Sequence, residues 1–355
     1  MSLKILPKSG VSDWVEHLIT EYRVVGPKPV NDLYVFDDIH SAADLSLDYP
    51  TSILPPKKIL LPQCEALFHF DAADGSQTVE PSIENQATVI LGVHTCDLHA
   101  ITLLDRVFHQ GFSDQHYLAR RKNTTLVSVE CLRTCSEYSF CKSMGTLSVP
   151  EIFDLHLTDL DDVYAIEIGS MKGSALLRYM SEVREPRNGD YRRLQKVMSE
   201  KWQRFNYRLD FDIIELPSLL ALSYDDPLWN ELGDRCLGCG ACTIVCPTCY
   251  CFDVIDEVDF NLQCGTRSRV WDSCQLDRFA TVAGGHNFRE NRSDRQRHRF
   301  FRKGKYQSDT YGLVGCVGCG RCAQSCLVHI SPVDVFNELY RRQVPLKSTE
   351  QESTR

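Results

Sequence analysis

Apolar and polar positions repeat with two different periods along the chain, and the period changes where one element hands over to the next. Val11, Trp14, Val15, Leu18 and Ile19 recur at helical spacing, which predicts a helix over residues 11–21. Residues 34–36 read as a short strand. Residues 50–62 hold four prolines around the string KKILL, which predicts an edge strand or an extended loop. Residues 88–93 (TVILGV) form a short β-branched apolar run, hence a buried strand, and Leu98, Ile101, Leu104 and Phe108 continue at helical spacing. Residues 125–129 and 162–168 predict two further strands. Residues 174–183 and 191–207 read as helices, the second rich in Arg and Lys, and two more helices follow at 216–222 and 227–232. The polar, turn-forming stretch 185–190 (EPRNGD) marks a domain boundary.

The fold class expected is therefore α+β. An N-terminal α/β domain spans 1–187, a mostly helical domain spans 188–345, and the polar residues 346–355 form a disordered tail.

Composition narrows the class without deciding the function. The 355 residues are 43% hydrophobic and 25% charged, as in ordinary globular proteins. No apolar run approaches the ~20 residues of a membrane helix. The opening MSLKILPKSG lacks the basic and apolar regions of a secretory signal. With 17 cysteines and no export signal, the expected setting is the reducing cytoplasm. A net charge of −9 argues against general nucleic-acid binding.

The chemistry lies in two matching cysteine runs. The first, CLGCGACTIVCP, places Cys236, Cys239, Cys242 and Cys246 at gaps of two, two and three residues before Pro247. The second, CVGCGRCAQSC, repeats those gaps with Cys316, Cys319, Cys322 and Cys326. This is the bacterial ferredoxin run, in which the fourth cysteine ligates the other cluster. The expectation is one [4Fe–4S] cluster on Cys236, Cys239, Cys242 and Cys326, and a second on Cys316, Cys319, Cys322 and Cys246. A zinc ribbon would leave half of these thiols unused. The 69 residues from Pro247 to Gly315 exceed the gap of a compact ferredoxin and resemble the helical two-cluster domain of respiratory iron–sulfur subunits. Cys249 and Cys251 follow the first run and read as packed cysteines or sulfurs beside the cluster, and Cys264 and Cys274 read as structural.

Four more cysteines form a second candidate group. Cys96 sits where the strand at 88–93 turns into a helix, and Cys131 follows the strand at 125–129. If both strands share a parallel sheet, the two thiols meet at its carboxyl edge, where sites form in open α/β sheets. Cys135 and Cys141 follow in the same loop. The expectation is a third [4Fe–4S] cluster on Cys96, Cys131, Cys135 and Cys141. Zinc, buried structural cysteines, and replacement of one thiolate by Asp97 remain alternatives. Residues 289–305 carry eight Arg or Lys, which reads either as a solvated loop or as a docking surface for an acidic partner.

Taken in order, LLPQCEALFHF, GVHTCDLHAI, CLRTCSEYSFCKSMG, CLGCGACTIVCPTCYCFDV, RVWDSC, AGGHNFR and GCVGCGRCAQSC resemble the beta subunit of cytoplasmic NAD(P)-linked nickel–iron hydrogenases, the sulfhydrogenases. They are similar also to the iron–sulfur subunit of anaerobic sulfite reductases. The second run departs from many ferredoxins in ending Cys326–Leu327 rather than Cys–Pro, and the loop from Cys131 to Cys141 departs from the family's spacing. The resemblance implies an electron-transfer subunit, itself without catalytic residues. Its implied partners are a flavin-containing NAD(P)-binding subunit and catalytic subunits, either the small and large subunits of a nickel–iron hydrogenase or a sirohaem sulfite reductase. The residues agree on the negative side: there is no G-x-G-x-x-G fingerprint and no paired nickel-binding cysteine motif. His286 and Arg321 are candidates for tuning the clusters, with packing or surface roles as the alternative. Two other classes stay open: a subunit that reduces a small substrate at the Cys96–Cys131 group, and a redox-sensing iron–sulfur protein.

Overall fold

In the computed structural model, residues 2–72, 77–260 and 262–352 are described, with side chains up to residue 343. Eleven strands build two sheets among these residues. They are β1 (Ser2–Pro7), β2 (Arg23–Val30), β3 (Leu33–Asp38), β4 (Cys64–Asp71), β5 (Thr78–Pro81), β6 (Thr88–His94), β7 (Thr124–Val129), β8 (Leu155–Asp159), β9 (Val163–Ile168), β10 (Phe252–Val258) and β11 (Cys264–Trp271).

The larger sheet runs β1-β9-β8-β7-β6-β2-β3. Its centre, β2, β6, β7 and β8, is parallel. Both β6 and β7 are buried along their whole length, as parallel strands covered on two faces require. Alternate residues face opposite ways. Val89, Leu91 and Val127 pack with Trp14 and Leu18 of the helix Val11–Glu21. Ile90 and Leu126 pack with Leu98, Ile101 and Leu104 of the helix Thr95–His109 on the other face. Gly92 breaks this alternation: its φ of +77° accompanies a register shift between Leu91 and Val93. A Cβ there would come within 2.9 Å of Pro27, so the bulge needs glycine. The shift puts Val93 on the Ile90 side and re-aims His94, Thr95 and Cys96 at the strand end.

The helices Leu216–Leu222, Leu228–Arg235, Arg292–Phe301 and Pro332–Glu352 enclose a second core around Leu216, Leu220, Trp229, Phe300, Phe301 and Phe336. Phe140 and Met144 from the loop after β7 are part of it.

Several elements differ from the pattern-based reading. Within residues 50–62, Lys57–Leu60 form a short helix rather than an extended segment. Pro55 and Pro56 are preset for a helix start, and Pro62 cannot continue one. The second sheet, β10-β11-β4-β5, draws two strands from each side of the expected boundary at 187/188. It also puts strands into the region expected to be mostly helical. The helix Asn188–Lys201 begins inside the expected turn 185–190, because the Asp190 carboxylate accepts the Arg187 N–H at 2.8 Å and pairs with Arg184 and Arg193. The last helix continues to Glu352 through residues expected to be a disordered tail, while 353–355 lie outside the described residues. Once its packed half is formed, each further helical residue costs little.

Candidate metal centres

The two cysteine runs fold into the same loop twice. Gly238 and Gly240 take φ of +66° and +76°, and Gly318 and Gly320 take +69° and +77°. Each loop then enters a one-turn helix, Ala241–Ile244 or Arg321–Gln324. Left-handed backbone at alternate glycines wraps the chain tightly enough for three thiols to face one space.

Two adjoining cavities result. One is lined by Cys236, Cys239, Cys242 and Cys326, together with Gln275, Gln296 and Arg299. The other is lined by Cys316, Cys319, Cys322 and Cys246, together with Cys242, Cys249, Arg299 and Lys303. Cys326 thus comes to the first run and Cys246 to the second. Donors already aim at the sulfurs. Gln296 Nε2 donates to Cys236 Sγ at 2.9 Å, and the amides of Gly238 and Ile330 donate to Cys236 and Cys326 at 3.3 Å. Burial pushes the Cys242 thiol up to about 11 and the Cys319 thiol up to about 12, so a bound metal must supply what stabilises their thiolates. Cys249 is not simply packed beside its neighbours. Its thiol lies against that of Cys246, a contact that pulls Cys246 well below the usual thiol range, helped by Lys303 and Lys57.

The third group also comes together. Cys96 opens the helix after β6, Cys131 follows β7, and the parallel pairing of these strands brings both to the carboxyl edge. Cys96, Cys131 and Cys141 are buried with Ala100, Leu147, Phe205 and Val317, and Cys319 of the second run packs against them. Cys131 and Cys135 line one cleft, and Cys135 Sγ lies 3.7 Å from His94 Nδ1. The loop from Cys135 to Cys141 is keyed into the second run: Phe140 N–H donates to Gly318 O at 2.8 Å, and a Cβ on Gly318 would approach the Cys141 nitrogen at 2.6 Å. Outside this group, a cleft of about 600 Å³ opens over Cys131 and Cys135, walled by Tyr49, His94 and the helix Asn188–Lys201.

Asp97, considered as a replacement ligand, is engaged elsewhere. Its carboxylate takes both terminal nitrogens of Arg321, at 2.6 and 2.7 Å, with both side chains buried. That pair answers for Arg321. His286 is exposed and stacks edge-on against Phe288. Among the described residues no three His, Cys, Asp or Glu side chains converge tightly enough for a single metal ion.

The basic stretch 289–305 is not a solvated loop: from Arg292 onward it is helical, and it is not uniformly exposed. Arg295 and Arg299 are each 7% exposed, and Lys303 lines a cysteine cavity. Arg297 faces outward, paired with Asp294 at 3.0 Å and stacked on Tyr224. Positions 295, 299 and 303 share one helix face, and that face looks inward. Their four-residue spacing was visible in the sequence, but nothing local says which face is covered.

Residues 235–330 match the family of 4Fe-4S dicluster domains. Over 318 residues, 89% of this chain and 92% of the other, the sequence is 36% identical to sulfhydrogenase 2 subunit beta of Pyrococcus furiosus. No solved structure matches. No helix of the described residues is long and apolar enough to cross a membrane. With the doubled cysteine loops, a dicluster domain and this identity across nearly the whole chain, the protein belongs to the family of sulfhydrogenase beta subunits, the iron–sulfur electron-transfer subunits of hydrogenase-type complexes.

Proposed function

We propose that this chain carries electrons between a flavin-containing NAD(P)-binding subunit and the catalytic subunits of a nickel–iron hydrogenase, in a cytoplasmic complex. The observation that carries the reading is the row of three adjoining thiol groups. Cys239 is exposed at one end, the two C-terminal cavities share Cys242 and Arg299, and Cys319 packs against the N-terminal group, which opens at the cleft. The ligand sets are Cys236, Cys239, Cys242 and Cys326 for one [4Fe–4S] cluster and Cys316, Cys319, Cys322 and Cys246 for the second. Cys96, Cys131, Cys135 and Cys141 hold a third. The clusters supply one-electron exchange when bound. The chain's own residues hold them by thiolate, donate hydrogen bonds to their sulfurs and keep water away. The sulfhydrogenase identity favours a hydrogenase partner over a sulfite reductase.

The test uses the whole complex. In a Cys242→Ser variant, dye-linked hydrogen turnover at the nickel–iron subunit is expected to persist while NAD(P)-linked turnover falls at least tenfold. Equal NAD(P)-linked rates in variant and wild type would remove this chain from the electron path. Iron and sulfide per chain give the count: about twelve of each is expected for three cubanes, and about eight would leave only the C-terminal pair.

A further inference from the structure

Two cations line the C-terminal cavities without a carboxylate partner, while the buried Lys57 donates to the carbonyls of Cys246 and Cys249. Arg299 is 7% exposed and lines both cavities. Its side chain reaches the Cys322 thiol, and its NH1 donates to Gln296 Oε1 at 3.4 Å. One turn on, Lys303 lines only the cavity of the second run and donates to Thr248 Oγ1 at 2.6 Å. Among the described residues no carboxylate forms an ion pair with either, although the neighbouring Arg297 and Lys305 pair with Asp294 and Asp309. Arg321, also buried beside a run, is neutralised by Asp97.

An unpaired cation held largely out of water is costly to desolvate, so its counter-charge must lie nearby. The anions in reach are thiolates. Cys242 and Cys322 line the cavities with Arg299, and Cys246 and Cys249 line the same cavity as Lys303. A [4Fe–4S] unit with four thiolates is a dianion when oxidised and a trianion when reduced. A cation held beside it favours the more negative state, which raises the reduction potential.

We propose that Arg299 is a counter-ion shared by the two C-terminal centres and raises the reduction potential of both, whereas Lys303 raises only that of the Cys316–Cys322 centre. The inference rests on the reading of these cavities as cluster sites. One guanidinium beside two acceptors raises both potentials together, and the lysine biases the pair toward the Cys316–Cys322 centre.

EPR-monitored redox titration of the intact complex tests this, with iron and sulfide measured alongside. Arg299→Gln is expected to lower both midpoints, each by about tenfold in the relative stability of the reduced form, or about 59 mV for one electron. Arg299→Lys retains most of both values. Lys303→Met lowers one midpoint and leaves the other. Unchanged midpoints in Arg299→Gln with full iron content, or a change at one centre only, overturn the assignment while leaving the cluster reading intact. If Arg299→Gln loses iron, Lys303→Met decides: a fall at both centres or at neither overturns it. Iron loss in all three variants makes the cations structural supports and also overturns it. A wild-type chain without cubane iron would overturn the cluster reading and this inference together.

Discussion

At the scale of single residues, Cys246 and Cys249 are the least determined by spacing. The ferredoxin run names Cys246, but both thiols line one cavity. Cys246→Ser is expected to disturb the Cys316 centre and spare the Cys236 centre, with Cys249 able to fill the vacated corner. The double variant Cys246→Ser/Cys249→Ser is expected to lose that centre altogether, read as a loss of about four iron atoms per chain. EPR of both variants checks this, and disturbance of the Cys236 centre alone would refute the crossed assignment. The Asp97–Arg321 pair is a second case. Removing one partner leaves a charge buried, so Asp97→Leu is expected to cost about 3–5 kcal/mol. Replacing both, as Asp97→Leu/Arg321→Met, is expected to cost less than the single change. Chemical denaturation of the three proteins distinguishes these outcomes.

At the scale of elements, the fit between loops matters more than either loop alone. The glycines at 318 and 320 have positive φ, and a Cβ on either would come within 3 Å of the backbone of residues 138–141. Gly318→Ala therefore meets both backbone strain, of about 1–3 kcal/mol, and a collision with the neighbouring loop. The corresponding Gly238 has open space, with nothing nearer than 3.8 Å. Gly318→Ala is expected to lower the melting temperature more than Gly238→Ala and to disturb the N-terminal group, read by thermal unfolding and iron content. The helix Arg292–Phe301 makes a related point. Its charge density in sequence suggests a docking surface, yet its packed face carries Arg295, Gln296 and Arg299 into the cluster region.

At the scale of the whole molecule, the expected two-domain division does not follow the contacts. β4 pairs with β11 across nearly two hundred residues, and a buried network joins them: Glu65 accepts from Arg269 Nε at 2.7 Å and also pairs with Arg120, while Arg269 pairs with Asp114. A fragment of residues 1–187 would leave β4 as an open edge and Glu65 without Arg269. Expressed alone, it is expected to self-associate in size-exclusion chromatography and to bind less than one cubane per chain. A monomeric fragment with about four iron atoms would show that the N-terminal part stands by itself.

Local patterns in the chain were enough for what is periodic or counted: the helix at 11–21, the buried strands β6 and β7 with the helix between them, and two identical cysteine spacings that name eight thiols. These are legible because each depends on neighbours a few residues away. Chain closure decided the rest. It brought Cys326 to the first run and Cys246 to the second, set Cys319 against the Cys96 group, gave Asp97 to Arg321, and turned Arg299 and Lys303 inward. It also joined β4 and β5 to β10 and β11. Spacing sets which residues share a face or a loop, whereas the partner that covers that face is chosen by packing between segments far apart in the chain, where one-dimensional patterns carry no register.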